Sequence, residues 1–227
     1  MRNRHKSPES IIPTNRKIII FDNGEQYECP VNLKIRATQV FWGIPMDEIT
    51  FSLWMSSFIQ TQIMPWDNFH FCMNTYLPEA RNQIHRAFVK SGCEWLAMLD
   101  SDVIPPPDFI YKLLSSGKKM IGGWYCKKAW DKPEERYPVV YDDGGMKEGI
   151  HYWMIRKKPG IGLEKVDSAG AGCWLMHRDV AKAIGEMPYN MEHGGEDMEL
   201  CVKVKNAGFD IWIDWSLACS HLGMAPY

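Results

Sequence analysis

Four acidic residues and one imidazole carry the residue types from which a charged reaction centre is built. Asp100-Ser101-Asp102 follows a short, nearly unbroken apolar run, Cys93 to Leu99. Such a run suits a strand buried on both faces of a parallel sheet. Ligands of open α/β sheets bind in the crevice beyond the carboxyl ends of these strands. Two carboxylates placed there repel each other and are costly to desolvate, whereas a divalent cation satisfies both. Hard oxygen ligands suit Mg²⁺ or Mn²⁺, which keep open positions for substrate phosphates. The simpler alternative has one aspartate capping the next segment and the other in solvent.

Gly194 and Gly195 precede Glu196 and Asp197, and an amphipathic stretch carrying Leu200, Cys201 and Val204 follows. The helix dipole stabilises acids in a first turn, which is reason enough for many such pairs. In the chemical alternative, the glycines let an acceptor approach closely and a carboxylate takes the proton from its attacking hydroxyl. His221 lies in Ser220-His221-Leu222-Gly223, after a strand pattern. A lone histidine is more often structural than a ligand. If it joined the aspartates it would favour Mn²⁺ over Mg²⁺.

The elements that must position these residues alternate between strand and helix. Val40 to Ile44 reads as a strand broken by Pro45, and Phe51 to Gln60 as a helix. Pro78 opens a helix whose apolar face is Ala80, Ile84, Ala87 and Phe88 and which Gly92 ends. After Pro105 to Pro107, a helix through Phe109, Ile110, Leu113 and Leu114 stops at Gly117, and Lys119 to Tyr125 returns as a strand. Lys127 to Gly162 is rich in charge, Gly and Pro, and reads as a long loop or small hairpin region. Cys173 to Met176 is a strand, Asp179 to Gly185 and Glu196 to Ala207 are helices, and Phe209 to Ile213 is a strand. Short joints between them imply right-handed crossovers and a mostly parallel sheet flanked by helices. Ahead of this, residues 1 to 16 form a polar arm. Ile18 to Phe21, the turn signal Asp22-Asn23-Gly24 and Tyr27 to Cys29 then make a β-hairpin. The expected division is an arm and hairpin over 1–36 and one α/β domain over 37–227.

In this order the features resemble the family 2-like glycosyltransferases of the GT-A (Rossmann-like) fold. The resemblance runs from about Gln39 to Gly223 through Ile44-Pro45, Ala80-Arg81-Asn82, Leu99 to Asp102, Ile104 to Pro107, Ile121 to Tyr125, Ala169 to Cys173, Glu196-Asp197 and His221-Leu222-Gly223. It implies a hexosyltransferase-type enzyme with a nucleoside-diphosphate sugar as donor and Mn²⁺ or Mg²⁺ as cofactor. By that resemblance Asp102 and His221 ligate the metal, and Asp100 contacts the ribose, or the metal through water. Arg81 lies close to the donor nucleotide and Pro45 beside its base. Asp197 is the base of an inverting transfer, with Glu196 holding hydroxyls. Gly170 and Gly172 in the loop Ala169 to Cys173, together with Trp124 and Tyr125, line the sugar and acceptor side. For these last residues close packing and core aromatics are the alternative.

The chain's 227 residues, 45% hydrophobic, suffice for one sizeable core, and a net charge of −2 gives no global attraction to nucleic acid or acidic membranes. No window approaches the ~20 apolar residues of a membrane span. The seven cysteines form no C-x-x-C pair, so buried free thiols and a cytoplasmic setting are expected. The acceptor stays open among a small molecule, a glycan, a protein or a modified DNA base. A sugar nucleotidyltransferase shares the strand-end aspartate, but its glycine-rich basic loop is missing from Pro45 to Thr50. Ten tryptophans, with Lys118, Lys119, Lys127, Lys128, Lys132 and Arg136, suggest a third possibility, a non-catalytic carbohydrate- or nucleic-acid-binding module.

Overall fold

The computed structural model describes residues 19–22, 25–28, 38–46, 52–61, 63–128, 132 and 135–223. Within the unit Met1–Ile35, β1 (Ile19–Asp22) and β2 (Glu25–Glu28) pair antiparallel, with Asp22 opposite Glu25. This is the expected hairpin. The polar arm before it lies outside the described residues.

The unit Arg36–Tyr227 is built on a seven-stranded sheet. From one edge to the other the strands are β10 (Leu163–Val166), β13 (Ile211–Ala218), β7 (Met120–Trp124), β12 (Cys173–His177), β5 (Trp95–Leu99), β3 (Val40–Met46) and β4 (Asn68–Met73). Strands β3, β4, β5, β7 and β13 share one direction, whereas β12 and the edge strand β10 oppose it. The sheet is therefore mostly parallel, as its sequence pattern implies, but with a reversed strand near its centre. Among the described residues no α-helix crosses over between β7 and β12. The chain instead makes an antiparallel excursion through β8 (Val140–Lys147) and β9 (Ile150–Ile155), joined by β11 (Ser168–Ala169), so the handedness rule for parallel crossovers does not apply there.

Alternating residues of β3 feed two cores, one on each face. Val40, Trp42 and Ile44 meet Trp54 and Phe58 of α1 (Ser52–Gln60) and Phe109, Ile110 and Leu113 of α3 (Phe109–Ser115). On the other face Phe41 packs with Ala80, Ile84 and Phe88 of α2 (Leu77–Ser91), with Val180 and Ala181 of α4 (Arg178–Ala183), and with Leu200, Cys201 and Val204 of α5 (Glu196–Asn206). Gly92, at φ 85°, ends α2 as expected.

Two local expectations are corrected and one element is new. Pro45 does not break β3, which continues to Met46; pairing with β5 stops at Gly43, so the residue without an N–H lies where β3 has only β4 beside it. Strand β13 runs on to Ala218 rather than ending at Ile213: Trp215 and Leu217 continue its buried side, and the Asp214 carboxylate, 9% exposed, accepts the Ser216 N–H where the register with β7 shifts. A two-residue pair that the pattern does not signal, β6 (Val103–Ile104) with β14 (Ser220–His221), sets His221 opposite Val103.

Helix α2 approaches β3 closely because Gly43 has no side chain. A Cβ there would stand 2.2 Å from Ile84 Cγ2 and 3.2 Å from Leu96 Cδ1. Gly43→Ala should therefore destabilise the fold by about 1–3 kcal/mol and lower the midpoint of thermal unfolding by several degrees. A midpoint equal to wild type would show that α2 can yield.

Candidate functional site

Arg81 projects from α2 into the protein and is 1% exposed. A buried guanidinium requires anionic partners, and it has three. One terminal nitrogen donates to Glu196 Oε1 at 2.7 Å and Asp197 Oδ1 at 2.6 Å; the other donates to both oxygens of Asp100, at 3.0 and 2.8 Å. The acid after β5 and the acidic pair opening α5 thus meet on one side chain. Burial pushes the Arg81 pKa down, but the carboxylates of Asp100, Asp197 and Glu196 outweigh it and hold the group charged. Its neighbour Asn82 fixes the chain leading towards α5, donating to Tyr189 O at 2.6 Å and accepting from Tyr189 N at 3.0 Å.

Three carboxylates around one guanidinium leave an excess of negative charge. Part of it is relieved at Asp197, whose pKa rises from 3.8 to about 6. Burial is the largest cause; Arg81 opposes it, Glu196 and Asp100 add to it, and a hydrogen bond from the Ala171 backbone lowers it.

Asp102 and His221 form the other half of the site. The Leu222 N–H donates to Asp102 O at 2.7 Å alongside the β6–β14 pair. His221 Nδ1 donates to Cys126 O at 2.9 Å, which leaves the Nε2 lone pair facing Asp102 Oδ2 across 3.6 Å. Two acceptors facing each other call for a cation or a proton between them. A backbone carbonyl on the far ring nitrogen is also how metal-ligating histidines are oriented. Lys128 Nζ lies 2.5 Å from the same Asp102 oxygen. Burial raises the Asp102 pKa, but the adjacent His221 ring and Lys128 ammonium outweigh it and hold the carboxyl below its ordinary range. The donor set of one hard carboxylate and one oriented imidazole fits Mn²⁺ or Mg²⁺.

Tyr125 links the two halves. Its ring meets His221 edge-on with centroids 4.9 Å apart, and its hydroxyl accepts the Gly172 N–H at 3.0 Å. Gly170 and Gly172 allow this: a Cβ would stand 2.4 Å from the Tyr125 hydroxyl at Gly170, or 2.8 Å from it and 2.9 Å from Asp100 Oδ2 at Gly172. Trp124 is half-buried, donates to Trp215 O at 2.9 Å, and borders a hollow of about 360 Å³ with Lys127, Lys128, Arg136 and His221. Pro45 is buried at the carboxyl end of β3.

A likeness to solved structures accompanies this geometry. The chain resembles A197 from STIV with a TM-score of 0.58 at 18% identity, over 83% of this chain and 87% of that one. It also resembles GalNAc-T7, crystallised with UDP, GalNAc and Mn²⁺, with a TM-score of 0.56 at 13% identity, over 82% of this chain and 44% of that one. The fold is GT-A-like. No family model and no curated protein matches the chain. No helix among the described residues is long and apolar enough to cross a membrane.

Sequence reasoning passed over the Lys128 contact, because Lys128 sits in a run of cations that is ordinarily solvated. It also passed over a grouping behind α5, where the ligand atoms of Glu192, His193 and Glu199 lie within 4.8 Å of one another. Glu199 there already pairs with His193 and, at 3.1 Å, with Lys203, and Trp153 donates to His193 O at 2.8 Å. Among the described cysteines, four are buried free thiols and two, Cys126 and Cys219, are half-buried; Cys29 lies outside the described residues.

The raised pKa of Asp197 means that the native state binds its proton more tightly than the unfolded chain does. The stability this group contributes is complete below pH 3.8 and lost as the pH rises through about 6. Asp197→Asn removes that dependence, so its melting temperature relative to wild type should climb across this window. Parallel melting curves for the two proteins would contradict the shift.

Proposed function

We propose that the protein is a glycosyltransferase that moves a sugar from a nucleoside-diphosphate sugar to an acceptor hydroxyl. The observation that carries this reading is the meeting of Asp100, Glu196 and Asp197 on Arg81, joined through Tyr125 to the Asp102–His221 pair, within a GT-A-like fold. The ligands of the GalNAc-T7 structure, UDP, GalNAc and Mn²⁺, are of the class proposed here. Within GT-A-like proteins, the family 2-like group is the narrower assignment, and residues 37–227 are its catalytic domain, with 1–36 as an extension.

Asp102 and His221 Nε2 would hold the divalent cation, Mn²⁺ or Mg²⁺, which when bound would supply positive charge to neutralise that growing on the departing nucleoside diphosphate. Asp100, with both oxygens on Arg81, reaches the donor ribose, or the cation through water. Asp197 is the base: held by Arg81 and the Ala171 N–H, and ionised above about pH 6, it takes the acceptor hydroxyl's proton on its carboxylate. Glu196 holds sugar or acceptor hydroxyls. Both terminal nitrogens of Arg81 are engaged by the three acids, which makes it a positioning residue near the nucleotide rather than a direct contact. Pro45 lies on the nucleobase side, while Trp124, Gly170 and Gly172 shape the sugar side. The acceptor is a small molecule, a glycan, a protein or a modified DNA base.

Asp197→Asn should keep donor affinity while transfer falls by roughly 10²–10⁴-fold; turnover equal to wild type would remove Asp197 from the base role. A thermal-shift series of uridine, guanosine and thymidine diphosphate sugars with Mn²⁺ should stabilise the wild type with the matching donor. Asp102→Ala and His221→Ala should lose that metal-dependent gain, and calorimetry showing undiminished donor affinity in either variant would overturn the metal assignment.

A further inference from the structure

A single oxygen, Asp102 Oδ2, is approached by the Lys128 ammonium at 2.5 Å and by His221 Nε2 at 3.6 Å. An ammonium and a divalent cation cannot share one carboxylate oxygen without strong like-charge repulsion. If Asp102 takes up a cation, Lys128 must leave it. Its destination is limited by what surrounds it. Lys128 is 33% exposed on a flexible four-carbon stem and borders the same hollow as Lys127 and Arg136. Among the described residues lining that hollow there is no carboxylate. Three cations lining one hollow suit an anionic group.

We propose that Lys128 exchanges partners, holding Asp102 when no cation is bound and turning with Arg136 onto the diphosphate once Asp102 is a ligand. The inference rests on the glycosyltransferase reading, which supplies the diphosphate, and adds a residue that makes cation and diphosphate binding interdependent. Lys128 opposes uptake of the cation alone, because it must first be displaced. It favours uptake of cation and diphosphate together, because the displaced ammonium then gains a better anion. The two effects have opposite sign, which a merely structural lysine would not produce.

The test uses the full chain, Lys128→Gln and Arg136→Ala, with Mn²⁺ titrated alone by electron paramagnetic resonance and inorganic pyrophosphate titrated by calorimetry with and without Mn²⁺. Lys128→Gln should bind Mn²⁺ alone roughly fivefold more tightly, and pyrophosphate in the presence of Mn²⁺ roughly tenfold more weakly. Arg136→Ala should show only the pyrophosphate loss. If the wild type binds both probes and Lys128→Gln binds Mn²⁺ no more tightly, or pyrophosphate no more weakly, the exchange is wrong while the enzyme reading survives. A wild type that binds neither probe overturns both.

Discussion

A buried guanidinium is stable only where its charge is answered, and Arg81 is answered by three carboxylates from two stretches of chain, Glu196 and Asp197 being 115 and 116 positions away. The constraint works in both directions. Without the acids Arg81 could not be buried in α2; without Arg81 the acids would face one another across a poorly solvated gap. Helix α2, the end of β5 and the start of α5 are thereby held in one relative position. Asn82, one residue on, clamps the chain at Tyr189 by two hydrogen bonds. Fold and site are therefore not separable layers here, because the same turn of helix serves both.

The charges around this centre are sorted. Asp100, Glu196 and Asp197 gather on Arg81, whereas Lys127, Lys128 and Arg136 border the hollow, with Asp102 between on Lys128. In the proposed reaction a proton is taken on the acidic side and a diphosphate departs on the basic side. Fixed charges placed in that way would favour the charge separation of the proposed transfer. Tyr125, Gly170 and Gly172 hold the boundary between the two by contacts too close for any larger residue.

Much of this was legible in the sequence where a local rule and the tertiary demand agree. The apolar run before Asp100 reads as a strand because it is covered on both faces, and Pro78 with Gly92 brackets α2 because helix ends need those conformations. Strand direction leaves no periodic trace, so the reversal of β12 did not. Edge strand β4 was missed because its exposed positions carry Phe69, Phe71 and Met73, so hydrophobicity does not mark an inner face. Pro45 misled because its cost depends on a neighbour that only the sheet reveals. Asp100, Asp102, Glu196, Asp197 and His221 could be picked out by type and spacing, and Arg81 by the family resemblance. That one arginine would gather three of them depends on pairings far apart in the chain, and the contact of Lys128 with Asp102 is hidden in an ordinary basic run.

The β6–β14 pair ties the site to the integrity of the sheet. His221 stands opposite Val103, next to Asp102, only when β13, an inner strand between β10 and β7, is in place. A chain in which that strand is unpaired loses the juxtaposition of imidazole and carboxylate even if α2 and β5 stay packed, so the closeness of Asp102 and His221 reports whether the far side of the sheet is closed.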